Sequence, residues 1–139
     1  AEAVYYEARS ETRSGQVAVA QVIQNRVYSK HFPDSICGVV YQGSERRTGC
    51  QFSFTCDGSM DRTPKGKSWE RSKNVARYVL SETPRSLVGS STHYHTTHID
   101  PHWSGSLKKT AQVGSHIFYR FPFRERPTAS ASVRVAPPS

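Results

Sequence analysis

Residues 15–28 constrain the fold more than any other stretch. Val19, Val22, Ile23 and Val27 recur at the spacing of one helix face, with Gln21, Gln24 and Asn25 off it. A stripe of that kind must be buried against another element, so this helix is expected at the centre of a core. Shorter helical patterns follow at 33–43, where Ile36, Val39 and Val40 precede Gly43, and at 68–82, which stops before Pro84. Three stretches alternate as strands do. Residues 51–55 interleave polar and aromatic side chains, and 90–97 place Thr92, Tyr94 and Thr96 opposite His93 and His95. Residues 114–121 read as the closing strand. The expectation is an α+β domain, mostly helical, with a small antiparallel sheet and no internal repeat.

The candidate chemistry lies just ahead of the central helix. Residues 1–8 read as a short helix ending near Arg9, which leaves Glu7 on its last turn, behind Tyr5 and Tyr6. The negative end of the helix dipole disfavours a carboxylate there. Burial against aromatic rings acts in the same direction and favours the protonated form. A carboxylic acid held protonated near neutral pH can protonate a leaving group. A second carboxylate is harder to find. Glu11 falls past the helix end, where its expected role is to fix the turn, and Asp57 is the other candidate for the cleft. The fitting chemistry therefore needs one carboxyl group: glycan cleavage in which a hydroxyl of the sugar supplies the nucleophile and Glu7 acts as acid and then base.

Charge and cysteine usage bound the setting. Nineteen Lys and Arg against eleven Asp and Glu give a net charge of +8, suited to a polyanionic partner: nucleic acid, a membrane surface or an acidic wall polymer. No stretch of eighteen apolar residues is present, so no membrane span is expected. The chain opens inside a helical pattern, as a segment trimmed from a longer protein does. Three cysteines, Cys37, Cys50 and Cys56, are too few for a four-thiolate zinc site. They leave three disulfide pairings open. Cys50–Cys56, flanking the 51–55 island, is favoured, and a bridge implies an extracytoplasmic compartment.

Two other chemistries compete. Five of the six histidines lie between His93 and His116, and H-x-H on a strand offers two imidazoles on one side, so a zinc-dependent amidase is one alternative. There is no H-E-x-x-H, and Asp100 is the only carboxylate nearby. Aromatics and arginines interleaved over residues 118–124 suit a non-catalytic module binding wall or nucleic acid. An ordinary core strand running into a basic tail gives the same pattern. Neither a G-x-S-x-G elbow nor a glycine-rich phosphate loop is present.

Six blocks then agree in order and spacing with one family. They are Y-x-E-A-R-x-E at 5–11, G-Q-V-A-V-A-x-V-I-x-N-R-V at 15–27, F-P-D-S-I-C-G-V-V-Y-Q at 32–42, Q-F-S-F-T-C-D-G at 51–58, H-Y-H at 93–95 and G-x-H-x-F-Y-R at 114–120. Together they resemble the SleB/CwlJ-like bacterial cell wall hydrolases, which include the spore-cortex-lytic enzymes. The resemblance implies a fold akin to lysozymes and lytic transglycosylases, and cleavage of the β-1,4 bond between N-acetylmuramic acid and N-acetylglucosamine, either by transglycosylation to a 1,6-anhydro end or, as in a muramidase, by hydrolysis. It implies Glu7 as the catalytic acid, with Gln51, Phe52, Ser53, His93, Tyr94 and His95 lining the sugar cleft. It further implies action on peptidoglycan glycan strands; the expectation is a monomer that needs no cofactor, metal or nucleic acid, placed by its cysteines in the periplasm or cell wall. The catalytic domain is expected over residues 1–121, with 122–139 an extended or disordered tail. Two positions depart from the family pattern. Ser10 stands in place of glycine, at a cost of order 1 kcal/mol if that backbone is left-handed. Phe54 stands in place of tryptophan, trimming a surface on which a sugar would stack.

Overall fold

A computed structural model describes residues 1–123. Four helices, α1 (Glu2–Ala8), α2 (Arg13–Tyr28), α3 (Ile36–Val40) and α4 (Gly66–Glu82), precede three strands, β1 (His93–Thr96), β2 (Lys108–Val113) and β3 (His116–Arg120). The N-cap of α2 is Thr12, whose side chain accepts from the Gly15 amide; Ser35 caps α3 in the same way at Gly38. The tail expected at 122–139 lies, beyond Phe123, outside the described residues.

Helix α2 is the centre of the molecule. Its Val17 and Ala20 pack with Val4 of α1 and with Val75 and Val79 of α4. Ile23 and Val27 join Ala3, Val39 and the rings of Phe52 and Phe54. Ala18 and Val22 meet Val88 and Phe118, which ties the helices to the sheet. The residues expected to lie off the apolar stripe are not idle. Gln21 donates to the carbonyl of Arg85 and accepts from the Leu87 amide, and Asn25 donates to the carbonyls of Gly89 and Ser91. These amides satisfy an irregular segment and deliver it to β1.

The sheet is antiparallel in the order β1-β3-β2. The stretch read as the closing strand is therefore the central one, with Phe118 wholly buried. Strand β2 was not expected. It is an edge strand with its first three residues exposed, so it carries no apolar alternation to read. Residues 51–55 are not a strand either. A disulfide joins Cys50 to Cys56 with Cα atoms 6.5 Å apart, whereas six extended residues span about 20 Å. The loop instead makes a short 3-10 turn at Ser53–Thr55 that turns Phe52 and Phe54 inward. The favoured cysteine pairing is the one formed, and Cys37 is a free, exposed thiol. Among the described residues Thr83 is the one non-glycine with positive φ, so Ser10 carries no left-handed strain.

Candidate active site

Glu7 sits on the last turn of α1, and that turn is held from behind. The buried Gln16 amide donates to the carbonyl of Ala8 at 3.2 Å, alongside the backbone amide of Glu11 at 3.0 Å. Tyr5 packs edge-on against Trp69 of α4, and Tyr6 stacks on Phe54 at 4.9 Å while its hydroxyl donates to the carbonyl of Arg62. The two tyrosines next to Glu7 thus anchor the helix, and the ring that closes on the carboxyl group comes from elsewhere. It is Tyr94 of β1, whose hydroxyl donates to Glu7 Oε1 at 2.5 Å across 87 positions of sequence.

Burial dominates the electrostatics of Glu7 and raises its pKa above the ordinary carboxylate value. The Tyr94 hydrogen bond and the positive charge of Arg26 act against burial, while the Asp57 charge adds to it. The net direction is upward, toward an acid that keeps its proton into the pH range where ordinary glutamates have lost it. Tyr94 is raised well above the usual phenol value by burial and by the neighbouring carboxylate, so it stays a hydrogen-bond donor. A protonated carboxylic acid with a fixed donor on one oxygen can give its proton to an ether oxygen and take one back later.

Arg26 is the residue that the sequence reading missed. It is 6% exposed, on α2 one turn after Val22. Its Nε donates to the carbonyl of Thr92 at 2.8 Å, two residues before Tyr94, and its guanidinium lies over the rings of Phe32 and Phe52. The signal was present: an arginine inside the apolar stripe, three and four residues from Ile23 and Val22.

The other expected site residues divide into three groups. Gln51 and Ser53 are exposed on the disulfide loop. Phe52 is 3% exposed and packs into the core beneath Arg26, so it cannot line a sugar cleft with its ring; the aromatic alternation that suggested otherwise turns that ring inward. Phe54 is equally buried, so this position offers no stacking surface to lose. His93 and His95 lie on the sheet face opposite Tyr94, against Trp103. His95 Nδ1 donates to the Thr96 carbonyl and its Nε2 accepts from the Tyr119 hydroxyl. Burial, helped by the Arg26 charge, lowers the His93 pKa to about 4. His116 is buried behind Tyr94, close to Glu11. Among the described residues no three His, Cys, Asp or Glu side chains converge as a metal-binding set. The zinc reading therefore finds no ligand set in these histidines. Glu11 does fix a turn: it accepts from the amide and hydroxyl of Ser115 in the β2–β3 hairpin.

Comparison with known proteins gives the family and the fold of the chain. The profile of the cell wall hydrolase family matches residues 10–119. That span begins three residues past Glu7. The spore cortex-lytic enzyme of Halalkalibacterium halodurans is 34% identical over 85% of this chain and 32% of its own length. That of Oceanobacillus iheyensis is 32% identical over 85% of this chain and 39% of its own. The chain thus spans about a third to two fifths of the length of these curated relatives. Among solved structures, the catalytic domain of the germination-specific lytic transglycosylase SleB from Bacillus anthracis superposes with a TM-score of 0.64 at 28% identity, covering 85% of this chain and 88% of that one. The catalytic domain of the Bacillus cereus SleB protein gives 0.62 at 28% identity, covering 85% and 84%.

Proposed function

Because this chain belongs to the cell wall hydrolase family, we propose that it cleaves the β-1,4 bond between N-acetylmuramic acid and N-acetylglucosamine in peptidoglycan, with Glu7 as sole acid and base. The observation that carries the reading is the Glu7–Tyr94 pair: a buried carboxyl group, raised in pKa, with one oxygen held by a phenol. The protonated Glu7 donates to the glycosidic oxygen as the C1–O bond of the muramic acid breaks. The resulting carboxylate takes the proton of the C6 hydroxyl as that oxygen bonds to C1. The products are a free N-acetylglucosamine hydroxyl and a 1,6-anhydro end, with no water consumed and Glu7 again protonated. The similarity to SleB of Bacillus anthracis, a lytic transglycosylase, supports this outcome over hydrolysis.

The catalytic unit is residues 1–121, and it needs no cofactor. Gln51 and Ser53 stand at the lip of the loop that carries Phe52, where they can hold sugar hydroxyls or N-acetyl groups. His93 and His95 contribute from the far face of β1, by supporting the strand and by meeting a strand of glycan that extends past it. Action outside the cytoplasm as a monomer fits the Cys50–Cys56 bridge and a net charge of +8, which draws the protein to an anionic wall. Among the described residues no helix is long and apolar enough to cross a membrane.

Purified sacculi and mass spectrometry test the proposal. The unaltered chain is expected to release muropeptides with anhydro ends. Glu7→Gln, shown to be folded by circular dichroism, should lose about a hundredfold or more of that activity. Undiminished release by the amide variant would remove Glu7 from the mechanism, and free stem peptides in place of anhydro sugars would point to the amidase.

A further inference from the structure

Arg26 carries more charge into the core than its structural duties require. Its Nε already holds the Thr92 carbonyl, and Asn25 beside it grips Gly89 and Ser91, so the entry to β1 is secured by neutral groups and one N–H. Its Nη1 is buried and has no hydrogen-bond partner among the described residues. Taking a guanidinium out of water is costly, and leaving one of its donors unpaired adds to that cost. A neutral side chain of similar length would spare both. The groups that face the guanidinium charge are Glu7 from α1 and Tyr94 and His93 from β1. Those that face Glu7 are Tyr94, Arg26 and Asp57.

We propose that Arg26 is the positioning residue of Glu7, its buried guanidinium charge held for the carboxylate that exists only after the glycosidic oxygen has been protonated. The inference rests on the acid–base role proposed for Glu7 and adds a partner to it. While Glu7 is protonated, Arg26 is a buried cation without a counter-charge. Once the proton has left, the two charges compensate each other. The interaction is therefore stronger after proton transfer than before it, which is the condition for it to lower the barrier rather than tighten ground-state binding.

The test reads the Glu7 carboxyl carbon by NMR across a pH titration in Arg26→Gln and Arg26→Lys. The Glu7 midpoint is expected to rise in Arg26→Gln and to stay near that of the unaltered chain in Arg26→Lys. Release of anhydromuropeptides should fall roughly tenfold or more in Arg26→Gln, in kcat rather than KM, with the alkaline limb of the rate profile moved to higher pH. A Glu7 midpoint unmoved by Arg26→Gln would overturn the proposal, because loss of a purely structural contact leaves that midpoint in place. If Arg26→Gln does not fold, the side-chain nitrogen signals of Arg26 in the unaltered chain decide. They should titrate with the Glu7 midpoint and become flat in Glu7→Gln; flat signals in the unaltered chain would overturn the proposal. Neither readout requires turnover, so a chain that fails to release sugar fragments would count against the proposed reaction and leave this coupling to be judged separately.

Discussion

At the scale of single residues, Tyr94 offers the most direct probe of how Glu7 is tuned. Its hydroxyl lowers the Glu7 pKa against the larger effect of burial. Tyr94→Phe keeps the ring packed on Phe118 and His116 and deletes only the donor. Glu7 should then hold its proton to higher pH, and the alkaline limb of the pH–rate profile should move upward. The rate plateau should fall about tenfold, because the carboxylate needed as base is less well stabilised. A profile that falls in height without moving would assign Tyr94 to packing alone. Glu7 was legible as a candidate because its signals are local, the last turn of a short helix with small apolar neighbours, although the adjacent tyrosines anchor the helix rather than enclose it. Its true neighbours, Tyr94 and Arg26, were not named as its partners. Tyr94 is 87 positions away along the chain, and the place of Arg26 in the apolar stripe shows that it is buried but not what it faces. Long side chains of that type usually lead their charge to the surface. Arg26 does not.

At the scale of elements, two short connections fix the parts that carry the site. The Cys50–Cys56 bridge closes the loop whose Phe52 supports Arg26 and whose Phe54 supports Tyr6. Replacing both cysteines by serine should cost about 2 kcal/mol in urea unfolding, the value expected for a loop of this length. The β2–β3 turn is the other. Gly114 has φ +59, and a Cβ there would lie 2.6 Å from Glu11 Oε1, the atom that accepts from the Ser115 amide. Gly114→Ala should therefore destabilise by at least roughly 1–2 kcal/mol, the usual cost of a left-handed non-glycine, and more if Glu11 is displaced. An unchanged denaturation midpoint would show that Glu11 does not pin the hairpin. The helices were readable because their stripes repeat at 3.6 residues, and α3 and α4 end shortly before Gly43 and Pro84. The sheet was harder. An exposed edge strand has little pattern, and residues 51–55 show that alternation reports which side chains turn inward, not whether the backbone is extended.

At the scale of the whole molecule, the lowered His93, His116 and Glu11 should lose stability toward acid pH, with Glu7, raised by burial, opposing them. His93 is neutral in the folded protein down to about pH 4, whereas a histidine in an unfolded chain takes its proton near 6.5. Between those values the unfolded state binds more protons, so stability is lost as pH falls through that window and levels off below it. His116 is also lowered, chiefly by burial, and contributes in the same direction below its unfolded value. Glu11 is lowered by its hydrogen bonds from Ser115, so its contribution is present above the unfolded carboxylate value and lost at still lower pH. The net charge of +8 grows as these groups protonate and adds self-repulsion on the acid side. Salt separates the two causes. Screening weakens repulsion between surface charges, while the cost of charging a buried imidazole is little affected. Urea midpoints measured at pH 7, 5.5 and 4 should therefore fall steadily in both low and high salt. His93→Gln should flatten the fall between pH 6.5 and 4 without abolishing it, because His116 still titrates. If high salt removes the slope entirely, surface charge governs acid stability and the buried histidines do not.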